Sequence, residues 1–198
     1  MSGNDHLHLA NLNKKTDARV RRTRDALGDA LVALMQEKPF ESITVQDVLD
    51  RAHVGRSTFY SHYSDKDDLL MSDVDDFYER VSMGLSAQGD TSDRVFPVRE
   101  FFGHLAEAQR FVSALSSSGK MQENMELARA HFARGIERRL AELPRGQSIP
   151  ASDRPAVAFA HAGALLSLMT WWIDRGMRES PTEMDEMFHR IVWGHHGS

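Results

Sequence analysis

Apolar residues recur every three to four positions along nearly all of this 198-residue chain, and no segment shows the strict alternation of a half-buried strand. The spacing predicts an all-α protein of about nine helices. Residues 1–13 (MSGNDHLHLANLN) are polar and aperiodic and read as a disordered arm. Helix 1 is expected to open at Thr16 or Asp17, either of which can cap it. Its apolar stripe is Val20, Ala26, Leu27, Ala30, Leu31 and Leu34, until Lys38-Pro39 stops it. A short helix over 45–52 follows Thr44, with Asp47 three residues on at capping-box spacing. His53-Val54-Gly55 breaks it, and a second short helix runs from Arg56 to His62. A long amphipathic helix then opens at Lys66, and the polar stretch 84–93 ends it. Five more helices are expected near 94–117, 120–143, 147–151, 153–176 and 181–193, with Pro97, Pro144, Pro155 and Pro181 at starts and breaks.

This pattern divides the chain into an N-terminal helix-turn-helix domain over 14–66 and a larger helical domain over 67–198. A major-groove reader needs a supporting helix, a tight turn and a second helix that opens on short, polar or basic residues. Val45, Val48, Leu49, Ala52, Val54 and Phe59 are spaced to form a small core, which leaves Gln46, Arg56, Ser57, Thr58, Tyr60 and His62 on other faces. By chemistry Arg56 fits guanine O6/N7, Gln46 fits adenine, and Ser57 or Thr58 fits either base type. Tyr60, His62 and Lys66 lie just beyond and suit phosphates.

Charge refines this picture. With 24 Lys and Arg against 29 Asp and Glu, the formal net charge of −5 argues against nucleic acid if it is averaged over the chain. It is segregated instead. Lys14, Lys15, Arg19, Arg21, Arg22 and Arg24 face the single acid Asp17, whereas 65–76 carries Asp65, Asp67, Asp68, Asp73, Asp75 and Asp76 against Lys66 alone. A local basic stripe is what phosphate attraction requires. The absence of cysteine excludes disulfides, thiolate metal sites and cysteine nucleophiles. No paired carboxylates, triad order, phosphate loop or HExxH stands at usable spacing, so neither an enzyme nor a cofactor is expected. His189, His195 and His196 read as a solvated tail rather than a metal site. The start of the chain has no apolar run like a signal peptide. No stretch reads as the roughly 18 uncharged apolar residues of a membrane helix, so a cytoplasmic protein is expected.

The run ITVQDVLDRAHVGRSTFYSHYSDKDDLL, preceded by TRDALGDALVALMQEKPFESI, resembles the N-terminal domain of the TetR family of transcriptional repressors over about residues 17–71. The shared features are the Thr opening helix 2, the Ala-x-Val-Gly turn, Ser-Thr-Phe-Tyr, an aromatic end to helix 3 and the Lys opening helix 4. Tyr63, where many members have Phe, and His53 in the turn depart from the pattern. The resemblance implies DNA contacts from Thr44, Gln46, Arg56, Ser57, Thr58, Tyr60, His62 and Lys66, with Tyr60 and Lys66 at phosphates. It also implies a homodimer on a pseudo-palindromic operator, with helix 4 as the lever through which a small-molecule effector releases double-stranded DNA. Operator position decides between repression and activation.

The same resemblance puts the last two helices at the dimer interface, where Ala158, Ala162, Leu165, Met169, Met184, Met187, Phe188 and Ile191 are the candidates. An effector pocket would draw on Phe101, Phe102, His104, Phe111, Met125, Phe132, His161 and Trp172, with Met121, Phe159, Trp171 and His131 as further aromatic, soft or polar candidates.

Overall fold

The computed structural model describes residues 3–109, 112, 115 and 121–194, with side chains from Ala18 onward. Nine α-helices and no strand occur among the described residues. The chain divides into two compact units, Met1–Asp73 and Val74–Ser198. The division falls later than the expected Lys66.

The N-terminal unit opens with α1 (Gly3–Glu37), which begins well ahead of Thr16 and takes in most of the stretch expected as a disordered arm. Between Asn4 and Leu27 no proline or glycine interrupts it, and Leu, Ala, Lys and Arg there are good helix formers. A 3₁₀ turn at Phe40–Ser42 leads to α2 (Val45–Ala52) and α3 (Arg56–Tyr60), followed by α4 (Lys66–Ala87). Leu27, Leu31, Phe40, Ile43, Val48, Leu49, Phe59, Leu69 and Leu70 are buried as its core. Each such side chain contributes about 1.5–3 kcal/mol by leaving water.

In the C-terminal unit α4 persists through Gly84, where a break was expected, because the next residue, Leu85, is buried. Then come α5 (Val98–Glu107), α6 (Met121–Glu142), α7 (Pro144–Gln147), α8 (Arg154–Asp174) and α9 (Pro181–Trp193). α6 packs along α8, and α5 packs against α9. A Cβ on Gly135 of α6 would lie 2.5 Å from the Ser82 carbonyl oxygen, so only glycine permits this approach to α4. Buried Arg139 ties the α4–α5 connection to α6 by donating to the carbonyls of Asp90 (2.7 Å), Ser92 (2.8 Å) and Arg94 (3.0 Å).

One expectation fails here. Pro155–Ile173 carries no Asp, Glu, Lys or Arg, so α8 is long and apolar enough to cross a membrane by length and composition. The polar residues within that run are His161, Ser167 and Thr170. Ala158, Ala162, Leu165, Leu166, Met169 and Trp172 of α8 are buried in the unit's own core.

Candidate nucleic-acid interface

Thr44 caps α2 in extended backbone: its Oγ1 accepts from the Asp47 N–H at 3.1 Å, and its own N–H donates to Asp47 Oδ2 at 2.7 Å. Lys38 Nζ reaches the same carboxylate at 2.9 Å. These bonds, that from Lys38 foremost, hold the Asp47 carboxyl far below the usual carboxylate range. α2 ends on His53 in the left-handed region at φ 54° and ψ 40°, a conformation that glycine adopts at less cost. Gly55 leads into α3, which is anchored by the fully buried Phe59.

With Phe59 inward, Arg56, Ser57 and Tyr60 of α3 face solvent, as do Thr44 and Gln46 at the start of α2. Tyr60 is 48% exposed, and the Arg56 guanidinium lies 5.7 Å from its ring centroid. Gln46 Nε2 donates to Asp50 Oδ1 at 2.8 Å. Thr58 and His62 are half-buried.

Two cations expected at phosphates are engaged within the protein. Lys66 Nζ donates to the carbonyls of Phe40 (2.7 Å) and Ile43 (2.8 Å) and lies 4.4 Å from the Phe40 ring centroid, fastening the start of α4 to the 3₁₀ turn. Arg24 donates to Tyr63 Oη at 3.1 Å and to Ser72 Oγ at 2.9 Å. Both hold the reader in shape. Arg19, Arg21 and Arg22 are exposed along α1.

The C-terminal candidates fall into three groups. Phe101, Phe102, Phe132 and Trp172 are buried in an aromatic cluster, with ring centroids 5.1 Å apart for Phe101–Phe132 and 4.9 Å for Phe102–Trp172. Met121 and Met125 are half-buried, and exposed His104 stacks on Phe77 at 4.5 Å. His131 is committed to Asp75 (2.7 Å) and Arg134 (3.0 Å). Phe111, His195 and His196 lie outside the described residues.

The dimer set needs correction. Ala158, Ala162, Leu165, Met169, Met184 and Phe188 are buried within the single chain and cannot face a partner, whereas Met187 is half-buried and Ile191 is 50% exposed. Phe159 and Trp171, expected in a pocket, are instead 56% and 39% exposed. With Ala156, Ala160, Ser167 and Thr170, also exposed, they form the outer face of α8. Among the described residues no three His, Asp or Glu side chains converge as a metal site.

A capped supporting helix, a tight turn and a second helix with a polar, solvent-facing start define a helix-turn-helix. The chain belongs to the tetR family of bacterial regulatory proteins: the family's N-terminal pattern matches residues 27–72, and that of a transcriptional regulator C-terminal region matches 98–194. It is a DNA-binding transcription regulator and not an enzyme. The chain is similar to YxbF of Bacillus subtilis (strain 168), an uncharacterized HTH-type transcriptional regulator, at 40% identity over 60 residues, which is 30% of this chain and 16% of that relative. Its fold is similar to that of a TetR transcriptional regulator from Streptococcus agalactiae (TM-score 0.57, 23% identity, 91% of this chain and 98% of that one). It is also similar to that of DhaS, a dihydroxyacetone kinase operon activator (TM-score 0.61, 18% identity, 86% and 94%).

Proposed function

We propose that this regulator is a cytoplasmic homodimeric repressor that binds a pseudo-palindromic operator through α3 and releases it when a small molecule binds the C-terminal domain. The observation that carries the reading is the α3 surface, where buried Phe59 leaves Arg56, Ser57 and Tyr60 facing solvent. Arg56 reads a base edge. Ser57 and Thr58 sit beside it, Gln46 adds a second base contact from α2, and Thr44, Tyr60 and His62 contact the backbone. Lys66 acts by holding α4, and any phosphate contact it makes is secondary.

Dimerisation follows from the reading geometry. One helix-turn-helix covers only a few base pairs, and two held about one helical turn apart bind a palindrome far more tightly. The outer face of α8, with Phe159, Ser167 and Trp171, and the Met187–Ile191 edge of α9 supply apolar surface suited to a second copy. An effector favours release only if it binds the released state more tightly than the DNA-bound one. α4, which spans both domains covalently, is the route for that change. The similarity to an operon activator fits activation as the alternative outcome at a different operator position.

The test is binding of the purified protein to the DNA upstream of its own gene, read by mobility shift at low salt. A shift is expected. Arg56→Ala should alter the ranking of operator variants, while Tyr60→Phe should weaken all of them alike. No shift under any salt condition, or an unchanged ranking with Arg56→Ala, overturns the reading.

A further inference from the structure

The C-terminal domain carries a pocket of about 660 Å³, broadly open to solvent, lined by α7, the two residues after it, the first turns of α8 and the end of α9. Ile149, Val157, Val192 and Trp193 give it apolar walls, and Arg145 and His161 give it polar character. The Arg145 guanidinium lies 4.5 Å from the Trp193 ring centroid, and its carboxylate neighbour Asp93 is exposed and 4.0 Å away. That separation leaves the positive charge weakly compensated. The Trp193 ring is held by its Nε1–H, which donates to the Asp93 carbonyl at 2.9 Å. Ser148 is already spent, its hydroxyl donating to the Arg145 carbonyl at 2.6 Å. Arg154 adds a second cation nearby, its Nε donating to the Ile149 carbonyl at 3.1 Å.

His161 is the unusual member. Its Nδ1 is buried and finds no hydrogen-bond partner among the described residues, a state that buried polar atoms rarely keep. Burial also holds the imidazole below its ordinary pKa, so at neutral pH the ring is uncharged and can donate or accept without adding charge. The pocket pairs apolar walls with a few polar anchors, as small-ligand sites do, and being open to solvent it would hold a ligand along one face.

We infer that this pocket binds an apolar molecule bearing a single carboxylate, with the carboxylate on Arg145 and the apolar body between Trp193, Val157 and Val192. A neutral polyol would set hydroxyls against the apolar walls and bring no charge to Arg145, whose nearest carboxylate, Asp93, lies 4.0 Å away. A phosphate dianion would find one lining cation and one neutral imidazole, too few donors for its charge. An arginine fork matches one carboxylate well. The inference names the effector class for the proposed ligand-responsive regulator and rests on that reading for its consequence at the operator.

The test uses the full chain with phenylbutyrate and its neutral analogue phenylbutanol, followed by calorimetry and tryptophan fluorescence in the absence of DNA. Phenylbutyrate should bind at least about tenfold more tightly than phenylbutanol. Arg145→Gln should remove that difference by weakening phenylbutyrate alone. Val157→Trp should obstruct the apolar wall of the pocket and weaken both ligands, with oligomeric mass unchanged. Equal affinities, failure of phenylbutyrate to bind, or insensitivity to Arg145→Gln overturns the assignment. A change in oligomeric mass with Val157→Trp while phenylbutyrate binding persists also overturns it, by making the surface one for a second copy. Operator release is read separately: phenylbutyrate that binds without releasing DNA leaves the site standing and removes ligand control, whereas loss of DNA binding by the free protein removes the repressor reading and leaves the site untouched.

Discussion

α3 and α8 both turn to solvent a face that the chain's own core leaves unused, and the two faces differ in kind. On α3 the anchor is a single phenylalanine, Phe59, and the exposed neighbours are Arg56, Ser57 and Tyr60. On α8 the anchor is a whole stripe from Ala158 to Trp172, and the exposed side still carries Phe159 and Trp171 beside alanine, serine and threonine. A polar, cationic face costs nothing in water and waits for a polyanion. An aromatic face exposes apolar area that another apolar surface should cover. Only 33% of the apolar run in α8 is buried, far less than a core helix of its composition requires.

The sharpest way to break this contrast is to mutate the two sides of α8 separately. Phe159→Asp places a charge on the outer face and should convert the proposed dimer to monomers in sedimentation, with operator affinity falling by roughly two orders of magnitude as the second reader is lost. Leu165→Ala, on the inner face, should cost about 2–5 kcal/mol in denaturant unfolding and leave the monomer–dimer balance unchanged per folded molecule. A dimer that survives Phe159→Asp moves the interface elsewhere.

The two faces were also unequally legible in the sequence. The reader is encoded locally: Thr44 and Asp47 stand at cap spacing, Gly55 marks the turn, and Phe59 falls where a short helix needs its anchor. Helix boundaries there agree with the spacing to within two residues at Val45–Ala52 and Arg56–Tyr60. α8 is apolar around most of its circumference, so periodicity names no inner face. Its contact with α6 decides that Ala158, Leu165 and Met169 point in and Phe159 and Trp171 point out, and this is tertiary information. Lys66 and Arg24 illustrate the same limit within the reader. Their positive charge was readable, but the carbonyls of Phe40 and Ile43 and the hydroxyls of Tyr63 and Ser72 that engage them lie 23 to 48 residues away in sequence.

Lys66 therefore gives an intermediate test. If it acts by holding α4, Lys66→Ala should lower stability by about 1–3 kcal/mol through the lost bonds to two carbonyls. It should then weaken DNA binding without changing the slope of log affinity against log salt. A slope reduced by about 0.9 would mean that its ammonium neutralises a phosphate, restoring the simpler sequence-based role.

The smallest expected effect compares the same cap in the two domains. Ser180 and Glu183 repeat at α9 the capping box that Thr44 and Asp47 make at α2. In the second box the Ser180 backbone N–H and then its hydroxyl lower the Glu183 pKa, without a lysine. In the first, Lys38 is the largest cause of the lowering at Asp47. Both carboxyls are depressed in the folded protein, so each stabilises it fully above its unfolded value, near 4, and that stabilisation is lost as pH falls through the lower folded value. Asp47→Asn should therefore lower the melting temperature at pH 7 more than Glu183→Gln, and the gap should shrink as pH falls below about 4. Equal losses at pH 7 would show that the Lys38 ion pair adds nothing to the cap, as exposed pairs often do. Thr44 would then be held by its capping box alone, and the rigidity of the reader would rest on Phe59 and Lys66.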